Sequence, residues 1–84
     1  MKGQPNRRTA RNIIGARVAK ARMDKNPPLS QESLSEMLDN SGTAISRSMI
    51  AKIETGGRCV YDYEAVALAR ALNVDVRWLL GGRS

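Results

Sequence analysis

The chain has 84 residues, with 14 Lys or Arg against 8 Asp or Glu, a formal net charge of +6 and no histidine. That length fits one domain with a modest core, because so short a chain buries only about 60–65% of its unfolded surface. No stretch of ~20 apolar residues is available to cross a membrane. The basic start, MKGQPNRRTARN, is not followed by the apolar run of a secretory signal, so a cytoplasmic protein is expected. The one cysteine, Cys59, has no partner for an internal disulfide and reads as a half-buried filler in a reducing compartment.

The charge excess predicts attraction to polyanions, nucleic acid and anionic lipid being the usual ones. Lys2, Arg7, Arg8, Arg11, Arg17, Lys20, Arg22 and Lys25 all precede the Pro27-Pro28 pair, against Asp24 alone. Residues 1–9 carry no periodicity and are expected to form a flexible basic arm ahead of a folded domain, residues 10–84.

No segment alternates apolar and polar residues as a strand would. Ile14, Val18 and Ala21 instead share one face of a helix from about Ala10 to Lys25, ended by Pro27-Pro28. Ser30 caps a second helix, Gln31 to Leu38, with Glu32 in its first turn and Leu34, Met37 and Leu38 inside. Asp39-Asn40-Ser41-Gly42 then supplies turn chemistry. Ser46 caps a third helix facing inward with Ile50 and Ile53, stapled by Ile45 and ended at Gly56-Gly57. Asp62 caps a fourth, Tyr63 to Leu72, with Val66, Ala69 and Leu72 inward and Asn73 as a left-handed stop. Asp75 caps a last short helix, Val76 to Leu80, closed by Gly81-Gly82. The expected fold is all-α, a compact five-helix bundle.

The segment LSQESLSEML…ISRSMIAKIETG gives two short helices joined by a turn, the second apolar on one side only. Its other side carries Arg47, Ser48, Ala51 and Lys52. Such a face can enter the DNA major groove, where Arg and Lys reach guanine O6 and N7 and Ser bonds either kind of base pair. From the residues alone, this is either a DNA-reading face or an ordinary solvated one.

From Ile14 to Leu80 the chain resembles the Cro/phage-repressor (XRE-type) helix-turn-helix family. The resemblance rests on Arg17 and Arg22, Leu29-Ser30-Gln31 with Leu34, Ile45-Ser46-Arg47-Ser48, and Ile50, Ile53-Glu54 and Gly56. It continues through Ala67-Leu68-Ala69, Ala71-Leu72, Val76 and Trp78-Leu79-Leu80. Six residues, Asp39 to Ala44, separate Leu38 from Ile45 where the family's usual turn is shorter, which reads as a tolerated insertion.

The resemblance implies a lambda-repressor-like fold and a sequence-specific, double-stranded-DNA-binding transcriptional repressor. It places Arg47, Ser48 and Lys52 at base edges, and Gln31, Ser46 and Arg58 at phosphates. Arg7, Arg8 and Arg11 in the arm would add phosphate or minor-groove contacts. Arg22 and Glu54 match the family's structural pair joining the first helix to the end of the third. The operator is expected to be two-fold symmetric, bound by a weak or DNA-induced homodimer, because so short a chain carries no separate oligomerisation domain. Trp78 is expected to close the core beside Val74 and Val76, with Leu79 and Leu80 either packed or available for self-association.

An enzyme is not expected: histidine, paired cysteines and a phosphate-binding glycine loop are all missing from the sequence. No metal, cofactor, small-molecule ligand or membrane partner is expected either, and a phage-like or bacterial, nucleoid-associated setting fits. The alternative is a protein-interaction module, such as an antitoxin that also binds DNA, docking through Trp78–Leu80 or the Asp39–Ala44 loop.

Overall fold

In the computed structural model, which describes the backbone of residues 3–82 and the side chains of residues 13–82, the helical periods of the sequence become faces that meet in one core. The elements among the described residues are α1 (Gly3–Met23), α2 (Gln31–Asn40), α3 (Arg47–Glu54), α4 (Asp62–Leu72) and α5 (Val76–Leu79), with no strand. Ile14, Val18 and Ala21 of α1 meet Leu34 and Leu38 of α2, Ile50 and Ile53 of α3, Leu68, Ala69 and Leu72 of α4, and Leu79 of α5. None of these helices is long and apolar enough to cross a membrane.

Three helix starts follow their caps. Ser30 Oγ accepts from Ser33 N at 2.9 Å, Ser46 Oγ from Met49 N at 3.2 Å, and Asp75 Oδ1 from Arg77 N at 2.7 Å. Each satisfies a donor that the first helical turn leaves free. Ile45, just before its cap, and Ile50 are both buried, which is the staple geometry. At the other ends, Gly56 (φ 80°) closes α3 and Asn73 (φ 58°, ψ 49°) closes α4 in the left-handed region.

Several boundaries differ from the sequence expectation. Helix α1 begins at Gly3, so the division drawn between residues 9 and 10 falls inside it. Apolar periodicity is the signal by which the sequence marks a helix, and residues 3–12 carry none. Helix α2 runs two residues past Leu38, and Ser41 N and Thr43 N then bond back to Leu38 O at 3.1 and 3.0 Å. Of the six residues before Ile45, Asp39, Asn40 and Ser41 thus become the end of α2 and its cap, leaving Gly42, Thr43 and Ala44 as the connection. Met37 is exposed rather than inward.

Helix α4 needs the largest correction. Its N-cap is Tyr61, with Asp62 its first helical residue, and Val66 stands 40% exposed. The buried stripe is Ala65, Leu68, Ala69 and Leu72, joined by the Glu64 carboxylate. DYEAVALARAL is apolar on nearly every side, so two stripes fit its periodicity and only packing against α2 and α5 selects one. Cys59 is exposed rather than half-buried.

Candidate nucleic-acid interface

Helix α3 has two unlike halves. Ile50 and Ile53 are fully buried and Met49 packs against the same core, while Arg47, Ser48 and Lys52 are exposed. At about 100° per residue, positions 47, 48, 51 and 52 share one arc of the helix. None of the described residues pairs with the charged ends of Arg47 or Lys52. Ser46 Oγ and Ser48 Oγ lie 3.3 Å apart at the helix start.

The far end of α3 is held by one carboxylate. Arg22 Nε donates to Glu54 Oε2 at 2.8 Å and Arg22 Nη2 to Glu54 Oε1 at 2.9 Å, a bidentate pair. Gln31 Nε2 donates to the same Oε1 at 2.9 Å. Glu54 therefore joins α1, the start of α2 and the end of α3. Arg22 also donates from Nη1 to Leu29 O at 2.9 Å, bracing the connection between α1 and α2. The hydrogen bonds from Arg22 to Glu54 raise the guanidinium's pKa above its ordinary value, more than burial lowers it.

Two further features fix the angle of α3, and neither was legible in the sequence. A Cβ on Gly15 of α1 would lie 2.2 Å from Ile53 O and 2.9 Å from Glu54 O, so only glycine admits the last turn of α3 this closely. Ser35 Oγ of α2 donates to Ile45 O at 2.7 Å, pinning the turn between α2 and α3. Two helices, a pinned turn and a second helix with a free polar face form a helix-turn-helix unit.

The helix-turn-helix family model matches residues 29–79, more than half of the chain. The chain belongs to the Cro/C1-type helix-turn-helix family. It is on that ground a DNA-binding transcription regulator, with double-stranded DNA as its ligand. Curated proteins and solved structures give no match.

Within this helix-turn-helix domain, Arg58 has a role that sequence reasoning missed. Its Nη1 donates to Cys59 O at 2.9 Å and Glu64 Oε1 at 3.0 Å, and its Nη2 to Glu64 Oε2 at 2.8 Å. Two of a guanidinium's five N–H donors remain for any phosphate. Glu64 also accepts from Tyr61 N at 3.0 Å and so closes the start of α4 without a side-chain cap from Tyr61. The hydrogen bonds from Arg58 hold the Glu64 carboxyl below its ordinary pKa, outweighing the burial that opposes ionisation; the Tyr61 N–H adds to them. A charged residue three positions into a helix and a basic residue in the loop before it are the only sequence signals of this pair.

Trp78 is half-buried against the core, with the Arg17 guanidinium 5.0 Å from its ring centroid. Arg17 Nη1 also donates to Trp78 O, and to Gly82 O at 2.8 Å, tying the end of the domain to α1. Leu79 is buried and Leu80 exposed, so the apolar end is not one surface. The side chains of Arg7, Arg8 and Arg11 lie outside the described residues.

Proposed function

We propose that this regulator is a sequence-specific repressor that reads the major groove with α3. Arg47 is assigned to a guanine, with Ser48 and Lys52 at neighbouring base edges. The observation that carries this reading is the division of α3 into a locked inner half and an exposed outer half, on which neither Arg47 nor Lys52 has an ion-pair partner among the described residues. A bidentate Arg–guanine contact contributes about 1–3 kcal/mol of discrimination.

Phosphates are assigned to Gln31 and Ser46 at the N-termini of α2 and α3, where free N–H groups and the helix dipole favour an anion. Gln31 keeps one amide N–H beyond the bond to Glu54. Arg58 and the basic segment with Arg7, Arg8 and Arg11 add further backbone contacts, which position the domain without reading sequence. Occupying an operator blocks it for other proteins, so repression is the outcome that binding alone delivers. A two-fold operator bound by two copies fits this design, and a cytoplasmic protein is the corresponding location.

Selection of bound duplexes from a random library tests this reading. A two-fold-symmetric motif is expected, with affinity falling about 10³–10⁵-fold between 50 and 200 mM salt if 6–10 phosphates are contacted. Salt-sensitive binding without any motif contradicts sequence-specific reading.

A further inference from the structure

Single exposed apolar residues need no explanation, but contiguous ones mark contact surfaces. Three of this protein's exposed large apolar side chains, Met37, Tyr63 and Val66, line one groove between α2 and α4 together with Ala67 and Arg70. The groove is separate from the residues assigned to DNA: none of Gln31, Ser46, Arg47, Ser48, Lys52 or Arg58 lines it. On α4, Asp62, Tyr63, Val66 and Arg70 are all exposed and fall within an arc of about 100°. Asp62 and Arg70 stand four residues either side of Val66, about 6 Å along the axis in each direction. Neither has an ion-pair partner among the described residues.

We propose that this face binds a second copy of the chain, with the two α4 helices antiparallel about a two-fold axis at Val66. In a two-fold contact, residue i meets j and j meets i. An antiparallel crossing at Val66 therefore sets Asp62 against Arg70 of the second copy, twice, around a centre formed by the two Val66 side chains and flanked by Tyr63. A parallel crossing would set Asp62 against Asp62 and Arg70 against Arg70, so the charges themselves select the antiparallel one. One helix face is at the low end of interface sizes, and the association is correspondingly weak, in the micromolar range. The inference deepens the two-fold operator reading and rests on it for the dimer's use, but the association is measured without DNA.

Sedimentation velocity of the full chain, from low micromolar to near-millimolar concentration, reads the dimer directly, with circular dichroism confirming that each variant is folded. Asp62→Arg and Arg70→Asp each place like charges across the axis twice and are expected to weaken association at least roughly tenfold. The double variant Asp62→Arg/Arg70→Asp restores opposite charges and is expected to recover most of the loss. Val66→Ser, a small change at an exposed position, weakens association without altering charge. A wild-type chain that stays monomeric over the whole range overturns the proposal. So do single variants that associate like wild type, or a double variant no better than either single one. A monomer that still selects a DNA motif removes this interface and leaves the DNA reading intact; a dimer that selects no motif does the reverse.

Discussion

Gly15 carries more of the fold than its size suggests. Replacing it by Ala raises intrinsic helix propensity by about 0.8–1.0 kcal/mol. The added Cβ, however, meets the backbone carbonyl of Ile53 at 2.2 Å, which no rotamer change relieves. Overpacking of this kind costs about 1–3 kcal/mol, and a backbone clash lies at the upper end. Gly15→Ala is therefore expected to lower the melting temperature, by about 4–8 °C for each kcal/mol lost, where propensity alone would raise it. Glu54→Ala leaves Arg22 as an uncompensated, largely buried charge and frees Gln31; thermal melts should show a loss of about 3–5 kcal/mol. The side chains of Arg22 and Glu54 are only 13% and 9% exposed, so solvent screening does little to reduce this. The sequence pattern identified the Arg22–Glu54 match but not Gly15, because a mid-helix glycine in RNIIGARV does not say which backbone approaches it. Val66 was misread for a related reason: within EAVALARAL the apolar residues outnumber the inward places.

At the scale of elements, three of the four expected side-chain caps were legible because capping is local, while Asp62 falls inside α4 and Met37 and Val66 stand outside the core stripes. Ser30, Ser46 and Asp75 sit where short-range capping rules put them, and Gly56 and Asn73 stop helices as those rules require. What the sequence hid were attachments that join one element or loop to another: Ser35 to Ile45, Gln31 to Glu54, and Arg58 to Glu64. The last gives a pH-dependent element. Folding lowers the Glu64 pKa, so the pair's contribution is complete above the ordinary glutamate value of about 4.3 and is lost as pH falls through the lower folded-state value. Wild type should accordingly lose stability on acidification below about pH 4.3 more steeply than Glu64→Gln, which is already less stable at neutral pH. Parallel acid-melting curves for the two proteins contradict this role for Glu64.

For the whole molecule, the net charge of +6 favours attraction to DNA, and in the proposed reading the rigid seat of α3 sets what is read. The fold class and five helices followed from periodicity and caps, which are repeated signals along the chain, and the helix-turn-helix family from the residues that resemble it, among them Ile53-Glu54 with Gly56 and Trp78-Leu79-Leu80. The extent of α1 did not, because residues 3–12 carry no apolar stripe in the sequence. Three helices meet at Glu54, so the exposed face of α3 is held rigidly, and rigid placement is what allows a bidentate contact to discriminate between bases. The decisive measurement compares wild type and Arg47→Ala on the selected operator and on duplexes carrying each single base-pair change. Wild type should lose about 1–3 kcal/mol at one guanine, and Arg47→Ala should bind more weakly and no longer distinguish that position. Full discrimination at every position by Arg47→Ala would contradict the reading of DNA by α3 through this residue.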